Sequence, residues 1–258
     1  MTSELTAQRL ARANRVLPQL AFNPLRDARV CRTCLGSCDI EGVAYCNSCR
    51  DLLRAGGAEE LATLVVPLSY AGEMNEQLRK DIRNYKDGYS LDVRASALAR
   101  LSALTWHFFH VHARCLDSLG TAVTHVTAVP SGAVGRRDGK HPIEALLRFA
   151  PAHWERFELE RITDSTSRTL DPQSLGVPDV SLIGKHVVVF DDTWTTGAKA
   201  QSAALRVRQA GAAVVTIVVA ARILNVGWAP TARLLEVYPK APWRGDICPV
   251  TGGECPTV

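Results

Sequence analysis

The chain has 258 residues, of which 47% are hydrophobic and 22% charged, with a formal net charge of +4. That size suits one large domain or one domain with an appendage, and that composition excludes wholesale disorder, which needs low hydrophobicity and high net charge. A charge of +4 is too mild to argue for nucleic acid on its own, though it leaves room for a phosphorylated ligand.

Residues 4–20 carry Leu5, Leu10, Val16, Leu17 and Leu20 in a loose helical pattern. Glu4, Arg9, Arg12 and Arg15 interrupt that stretch, so it lacks the apolar core of a signal peptide, and the chain reads as cytoplasmic. A cysteine-rich segment follows at about 28–52, then a Val- and Leu-rich strand at 61–70. Helical stretches are expected at about 73–84 and 91–117, a strand at 123–129, a polar basic loop at 131–141 and a short helix at 142–149. Residues 163–181 are rich in Ser, Thr, Asp and Pro and read as a long loop of the kind that often serves as a lid. The apolar strand 186–190, a helix at 197–210 stopped by Gly211, and a strand at 213–220 complete the pattern. Continuous Val/Ile/Leu strands alternating with helices predict an α/β fold whose parallel sheet is covered on both faces. The longest apolar run, 212–221, is ten residues and carries Thr216, against the roughly twenty a membrane span needs; no membrane association is expected.

Five of the eight cysteines fall between positions 31 and 49. Cys31-x2-Cys34 and Cys46-x2-Cys49 form a C-x2-C-x11-C-x2-C array. Each pair can chelate from one tight turn, and two pairs supply the tetrahedral thiolate set that zinc prefers. A segment this short has little core of its own, so metal binding would supply its folding energy. Cys38 is read as a spare thiol. Five arginines against four acids over 26–54, with the −2 of a zinc tetrathiolate, leave the segment slightly negative. That is a poor footprint for a phosphate backbone, so a structural zinc with a protein-contact role is the expectation, and nucleic acid stays undecided.

Residues 187–197, VVVFDDTWTTG, carry the most chemistry. An apolar strand ends in two adjacent carboxylates, Asp191 and Asp192, and a Thr/Gly turn leads into a helix. The helix N-terminus offers unpaired N–H groups and the positive end of its dipole, a phosphate site to which Thr195, Thr196 and Gly197 can contribute. The carboxylates cannot help bind phosphate, but they can accept hydrogen bonds from two sugar hydroxyls, and the combination describes a ribose 5-phosphate. A P-loop NTPase is excluded because no G-x4-G-K-[ST] run exists. An acidic strand end without a ligand is the bland alternative.

VVVFDDTWTTGA resembles the binding motif for phosphoribosyl pyrophosphate (PRPP) in type I phosphoribosyltransferases, and with the cysteine array it resembles the ComF family of competence-associated phosphoribosyltransferase-like proteins. Tyr70-Ala71-Gly72, Tyr85-Lys86-Asp87-Gly88, Val129-Pro130 with Arg136-Arg137, Asp171-Pro172-Gln173-Ser174-Leu175 and Gly184-Lys185 are similar to further family segments, so the resemblance spans about 28–222. It implies a type I phosphoribosyltransferase fold over 60–224, with a zinc-ribbon-like module at 28–55, an N-terminal helical extension at 1–27 and an irregular C-terminal tail at 225–258. It implies that Asp191 and Asp192 hold the ribose hydroxyls. Thr193, Thr195, Thr196, Gly197 and Ala198 would cradle the 5′-phosphate. The loop with Ser131, Arg136, Arg137 and Lys140 would meet pyrophosphate and its Mg2+, and a mobile loop around 163–176 would close over the site. The implied reaction is displacement of pyrophosphate from PRPP by an unknown nitrogen acceptor.

The departures from the family also matter. Arg137-Asp138-Gly139-Lys140-His141 stands where Arg-Gly-Phe-Asn-Gln is typical, Lys199 replaces a Thr, and Trp194 could narrow the ribose or base pocket. Thr195 stands where 6-oxopurine phosphoribosyltransferases carry an Asp general base, so no hypoxanthine or guanine salvage is expected. The alternative function is a non-catalytic PRPP- or nucleotide-sensing module, or a DNA-uptake accessory protein that binds a protein partner through the ribbon. Three smaller features remain. Lys86 is either solvated or, as its family position implies, a substrate contact. His107, His110 and His112 read as a packed helix end, and Cys248-x6-Cys255 is either a ligand pair or free thiols.

Overall fold

The computed structural model describes residues 2–40, 42–57, 61–72, 75–130, 142–163, 168–238 and 242–257. It begins with helix α1 (Thr2–Leu20), which buries Ala13 and Leu17, and helix α2 (Asn47–Gly56) closes the cysteine-rich segment. The strand expected at 61–70 is two shorter ones, β1 (Leu64–Pro67) and β2 (Tyr70–Gly72). Pro67 takes the outer edge, where its missing N–H costs no ladder bond: the Leu68 amide still donates to the Val219 carbonyl at 2.9 Å, and between the two strands the Ser69 hydroxyl accepts a hydrogen bond from the Phe22 amide at 2.9 Å.

Helix α3 (Glu76–Asp87) is capped by Asn75, whose side chain accepts from the Leu78 amide at 3.1 Å. Helix α4 (Leu91–His107) is capped by Ser90 and ends earlier than the periodicity predicts. It gives way to a π-helical turn, Phe108–His112, and a 3-10 helix, Ala113–Leu119. Phe108 and Phe109 of this turn are both buried, at 2% and 4% exposure. Strand β3 (Val123–Ala128), helix α5 (Glu144–Leu147) and strand β4 (Glu155–Arg156) follow. Strands β5 (Glu160–Arg161) and β6 (Leu175–Gly176) form a small antiparallel pair. Strand β7 (His186–Trp194) runs four residues past its apolar core, through both acids, before helix α6 (Ala198–Gln209) and strand β8 (Val214–Leu224).

The main sheet has the order β1-β8-β7-β3-β4, with β2 continuing beside β8, and every pairing is parallel. One face packs α1, α3, α4 and α5 on Val66, Val126, Val188, Phe190 and Val218. The other packs α6 and the four ribbon cysteines on Val65, Val187, Val189, Ile217 and Val219. The chain is therefore α/β, with a parallel sheet flanked by helices. From β3 the next sheet neighbour in the chain is β4, on one side; from β7 it is β8, on the other. The strand order thus reverses between β3 and β7, and in open α/β sheets ligands bind outside the carboxyl ends of strands at such a point.

The C-terminal tail departs from the irregular expectation. Residues Ala229–Val237 form helix α7, with Pro230 in its first turn, where a missing N–H does no harm. Leu234 packs with Val30 and Leu35, and the Thr231 and Ser37 hydroxyls lie 2.7 Å apart. The helix forms because it has the ribbon to pack on, which its own short period does not reveal.

Candidate functional site

Asp191 and Asp192 lie at the carboxyl end of β7, beside the reversal point. Val129, just past β3, donates its amide to the Phe190 carbonyl at 2.9 Å, which holds the end of β3 next to the acids. Asp192 is almost fully buried, at 2% exposure, and Asp191 is half-buried. A buried carboxylate needs partners, and Asp192 has three. Tyr85 donates its hydroxyl to Oδ2 at 2.5 Å, the Lys86 ammonium pairs with the same oxygen, and Thr193 donates to Oδ1 at 3.1 Å. Burial works against the Asp192 charge, but Lys86 and these hydrogen bonds overcome it and hold its pKa below the usual carboxylate range. Burial and the adjacent Asp192 charge push the Asp191 carboxyl well up. Two neighbouring carboxyls are thus set apart, and the first proton taken up by the pair sits on Asp191.

Tyr85 and Lys86 reach Asp192 from the last turn of α3. Asp81, one turn earlier and fully buried, receives Arg100 of α4 at 2.8 and 2.7 Å in a bidentate pair, which fixes α3 on α4. Lys86 therefore joins the acid pair rather than solvent. Sequence reasoning left Tyr85 unassigned, although it stands beside Lys86 in the segment that drew attention.

Beyond Trp194 the backbone turns through exposed Thr195 and half-buried Thr196 to Gly197, at φ +87°, which caps α6. The Thr196 hydroxyl lies 3.5 Å from the Ala198 amide. A Cβ at position 197 would lie 2.1 Å from the Trp194 indole. Glycine is required here twice over, by the left-handed backbone and by the ring beneath it. Trp194, at 1% exposure, is core beneath the turn. Lys199 is exposed. The turn carries hydroxyls and leads into helix N-terminal amides, the chemistry that suits a phosphate.

Arg222 was missed as well. It stands in β8, is 8% exposed, and donates from one terminal nitrogen to the carbonyls of Trp194 and Thr195 at 3.1 Å and Ile223 at 2.6 Å. A lone charge inside an otherwise largely apolar run, Val214–Leu224, was the available signal. Arg222 also lies against the ribbon: a Cβ on Gly36 would meet its guanidinium at 2.5 Å. In the ribbon, Cys31, Cys34, Cys46 and Cys49 bring their sulfurs within 4.8 Å of one another, and Cys34 and Cys46 are 3.8 Å apart. Tetrahedral ligands at the zinc–sulfur distance of 2.3 Å would be separated by about 3.8 Å. The first pair sits on a tight turn in which Leu35, at φ +55°, donates its amide to the Cys31 carbonyl at 2.9 Å. The second brackets the start of α2. Hydrogen bonding from Cys31, Cys46 and Cys49, together with the Arg222 charge, holds the Cys34 thiol well below its ordinary pKa. The four thiols could hold a metal such as zinc. Cys38 stays outside the set, and burial pushes its thiol up to about 12.

Ser131, Arg136, Arg137 and Lys140 lie outside the described residues, so no pyrophosphate or magnesium geometry is assigned. The end of the expected lid is tied down. Asp171 donates its amide to Ser202 of α6 at 2.8 Å, Arg206 donates to the Leu175 carbonyl at 2.8 Å, and β6 is paired with β5. Among the described residues no helix is long and apolar enough to cross a membrane.

No family model matches the sequence, and no curated protein matches it. Among solved structures, the chain is similar to a hypoxanthine phosphoribosyltransferase from Staphylococcus aureus, with 14% identity and a TM-score of 0.29. That match covers 45% of this chain and 60% of the other, so the chain spans less than two thirds of its length.

Proposed function

We propose that this chain binds PRPP at the carboxyl end of β7 and transfers its phosphoribosyl group to a nitrogen acceptor, releasing pyrophosphate. The observation that carries this reading is the placement of Asp191 and Asp192 at the strand-order reversal, followed directly by the glycine-capped N-terminus of α6. A vicinal diol needs acceptors and a 5′-phosphate needs donors, and the two sets stand in that order along one strand–turn–helix. The reading agrees with the resemblance of 187–198 to the phosphoribosyltransferase motif and of the whole pattern to the ComF family. Thr193, Thr195, Thr196, Gly197 and Ala198 would meet the phosphate. Lys86 and Tyr85 would keep Asp192 ionised and oriented. Ser131, Arg136, Arg137 and Lys140 would serve the pyrophosphate, with Mg2+ neutralising its oxygens. A structural Zn2+ on Cys31, Cys34, Cys46 and Cys49 would hold the ribbon.

The second reading, a PRPP sensor or DNA-uptake accessory protein that recruits a protein partner through the ribbon, uses the same ribose-phosphate site. The atypical basic run at 137–141 favours it, because leaving-group stabilisation would suffer first there. Titration of PRPP and Mg2+ into the zinc-loaded protein, beside an Asp191→Asn/Asp192→Asn variant, tests the shared premise. Micromolar binding lost in a folded variant is expected, and equal binding by both proteins overturns it. Pyrophosphate release in an acceptor screen then separates enzyme from sensor. Hypoxanthine and guanine are expected to give none, since Thr195 supplies no carboxylate base; turnover of either would reject that expectation.

A further inference from the structure

The C-terminal segment brings a second set of metal-ligating groups together, far in sequence from the ribbon. His112, Cys115, Cys248 and Cys255 each place one ligand atom within 4.8 Å of the others. His112 ends the π-helical turn and caps the 3-10 helix that contains Cys115. Residues three apart eclipse in a 3-10 helix, so the junction directs both side chains the same way. The other two ligands come from a closed turn. The Cys248 carbonyl accepts from the Gly252 amide at 2.7 Å, and the Cys248 amide donates to the Gly253 carbonyl at 2.7 Å. Gly252, at φ +83°, lets the chain reverse and return Cys255 toward Cys248.

The histidine ring is already oriented. Its Nε2 lies 2.9 Å from the Gly245 carbonyl. A carbonyl only accepts, so Nε2 carries a proton, which leaves Nδ1, 3.3 Å from the Cys255 sulfur, as the nitrogen to face a metal. One ring nitrogen tied to a backbone carbonyl and the other turned to soft ligands is the arrangement of a metal-bound histidine. Zinc bond lengths of 2.0–2.1 Å to nitrogen and 2.3 Å to sulfur give a tetrahedral N–S edge of about 3.6 Å. The three thiols form no disulfide, and His112, Cys115 and Cys248 are buried while Cys255 is exposed. Arg26 brings positive charge to the turn, donating to the Pro249 carbonyl at 2.7 Å and the Val65 carbonyl at 2.9 Å.

We propose that His112, Cys115, Cys248 and Cys255 bind a second zinc ion, which staples the C-terminal segment to the helical layer over α4. Four protein ligands leave no open position, so the site is structural. It is independent of the PRPP reading and shares no ligand with the ribbon.

The test is a metal count on the full chain, purified under reducing conditions from zinc-supplemented cells. Two zinc ions per chain are expected, falling to one in Cys248→Ser/Cys255→Ser. Because that variant could misfold, alkylation of wild-type Cys255 is followed in parallel. This exposed thiol should resist iodoacetamide in the metal-replete protein and react once a chelator is added. A metal count that the double substitution leaves unchanged overturns the proposal. So does a Cys255 that alkylates equally with and without chelator, or a mass that shows a disulfide among the three thiols.

Discussion

At the scale of single residues, the acid pair carries opposite electrostatic conditions side by side. Asp191 is held above its ordinary pKa by burial and by Asp192, so its charged form is disfavoured in the folded chain. Its favourable contribution is complete below the unfolded carboxylate pKa and is lost as pH rises through the raised value. Asp191→Asn removes that loss. The variant should melt above wild type at neutral pH, and the gain should shrink toward zero as the pH is lowered below the ordinary carboxylate range. Each kcal/mol corresponds to about 2–4 °C in a chain of this size. Thermal melts across that pH range check it, and a gain that does not depend on pH would refute the assignment. The same variant should lose PRPP, as expected where a binding group is kept at the expense of stability. Asp192 behaves in the opposite sense: its depressed pKa gives stability that fails as pH falls through it. Tyr85→Phe removes only the hydroxyl at 2.5 Å from Asp192. A lost hydrogen bond to a buried charge costs about 1.5–3 kcal/mol, so the urea midpoint should fall accordingly, and an unchanged midpoint would show that Lys86 and Thr193 satisfy the carboxylate without it.

At the scale of elements, the turn between β7 and α6 depends on one atom that is not there. Gly197→Ala would force a side chain into left-handed backbone and drive its Cβ to 2.1 Å from the Trp194 ring. Backbone strain of about 1–3 kcal/mol adds to overpacking of about 1–3 kcal/mol. Chemical denaturation should therefore show a loss of several kcal/mol, with phosphate affinity falling as the turn opens; a loss below about 1 kcal/mol would mean that Trp194 swings aside. This turn was legible in the sequence because its parts are adjacent: an apolar strand, two acids, Thr/Gly, a helix. The ribbon was legible for the same reason, since C-x2-C spacing encodes local chelation. Arg222, Tyr85 and the His112–Cys115–Cys248–Cys255 group were not, because each acquires its partner only through tertiary folding. The separation between Cys115 and Cys248 is wider than most of the sheet domain, and no local period marks it. The end of α4 was not legible because the chain stays helical there and changes only its hydrogen-bonding, to a π-helical turn and then a 3-10 helix, which apolar periodicity does not mark.

At the scale of the whole molecule, the ribbon and the turn between β7 and α6 are joined through Arg222. Its guanidinium lies beside the four buried ribbon thiols and donates to the Trp194 and Thr195 carbonyls on the outgoing turn. A zinc tetrathiolate carries −2, and a cation lodged against it in low dielectric is held far more firmly than on a surface. Arg222→Lys retains the charge but gives up the planar fork that reaches several acceptors at once. The ribbon should keep its zinc in that variant, while PRPP affinity drops at least tenfold, a difference of about 1.4 kcal/mol, because the turn loses its inner support. Loss of zinc alongside affinity would make Arg222 a stabiliser of the ribbon alone. Unchanged affinity with zinc in place would disconnect the two. The decisive measurement is thus a paired one, zinc content and PRPP calorimetry on the same preparation. It separates a ribbon that merely covers one face of the sheet from one whose metal holds the ligand turn in shape.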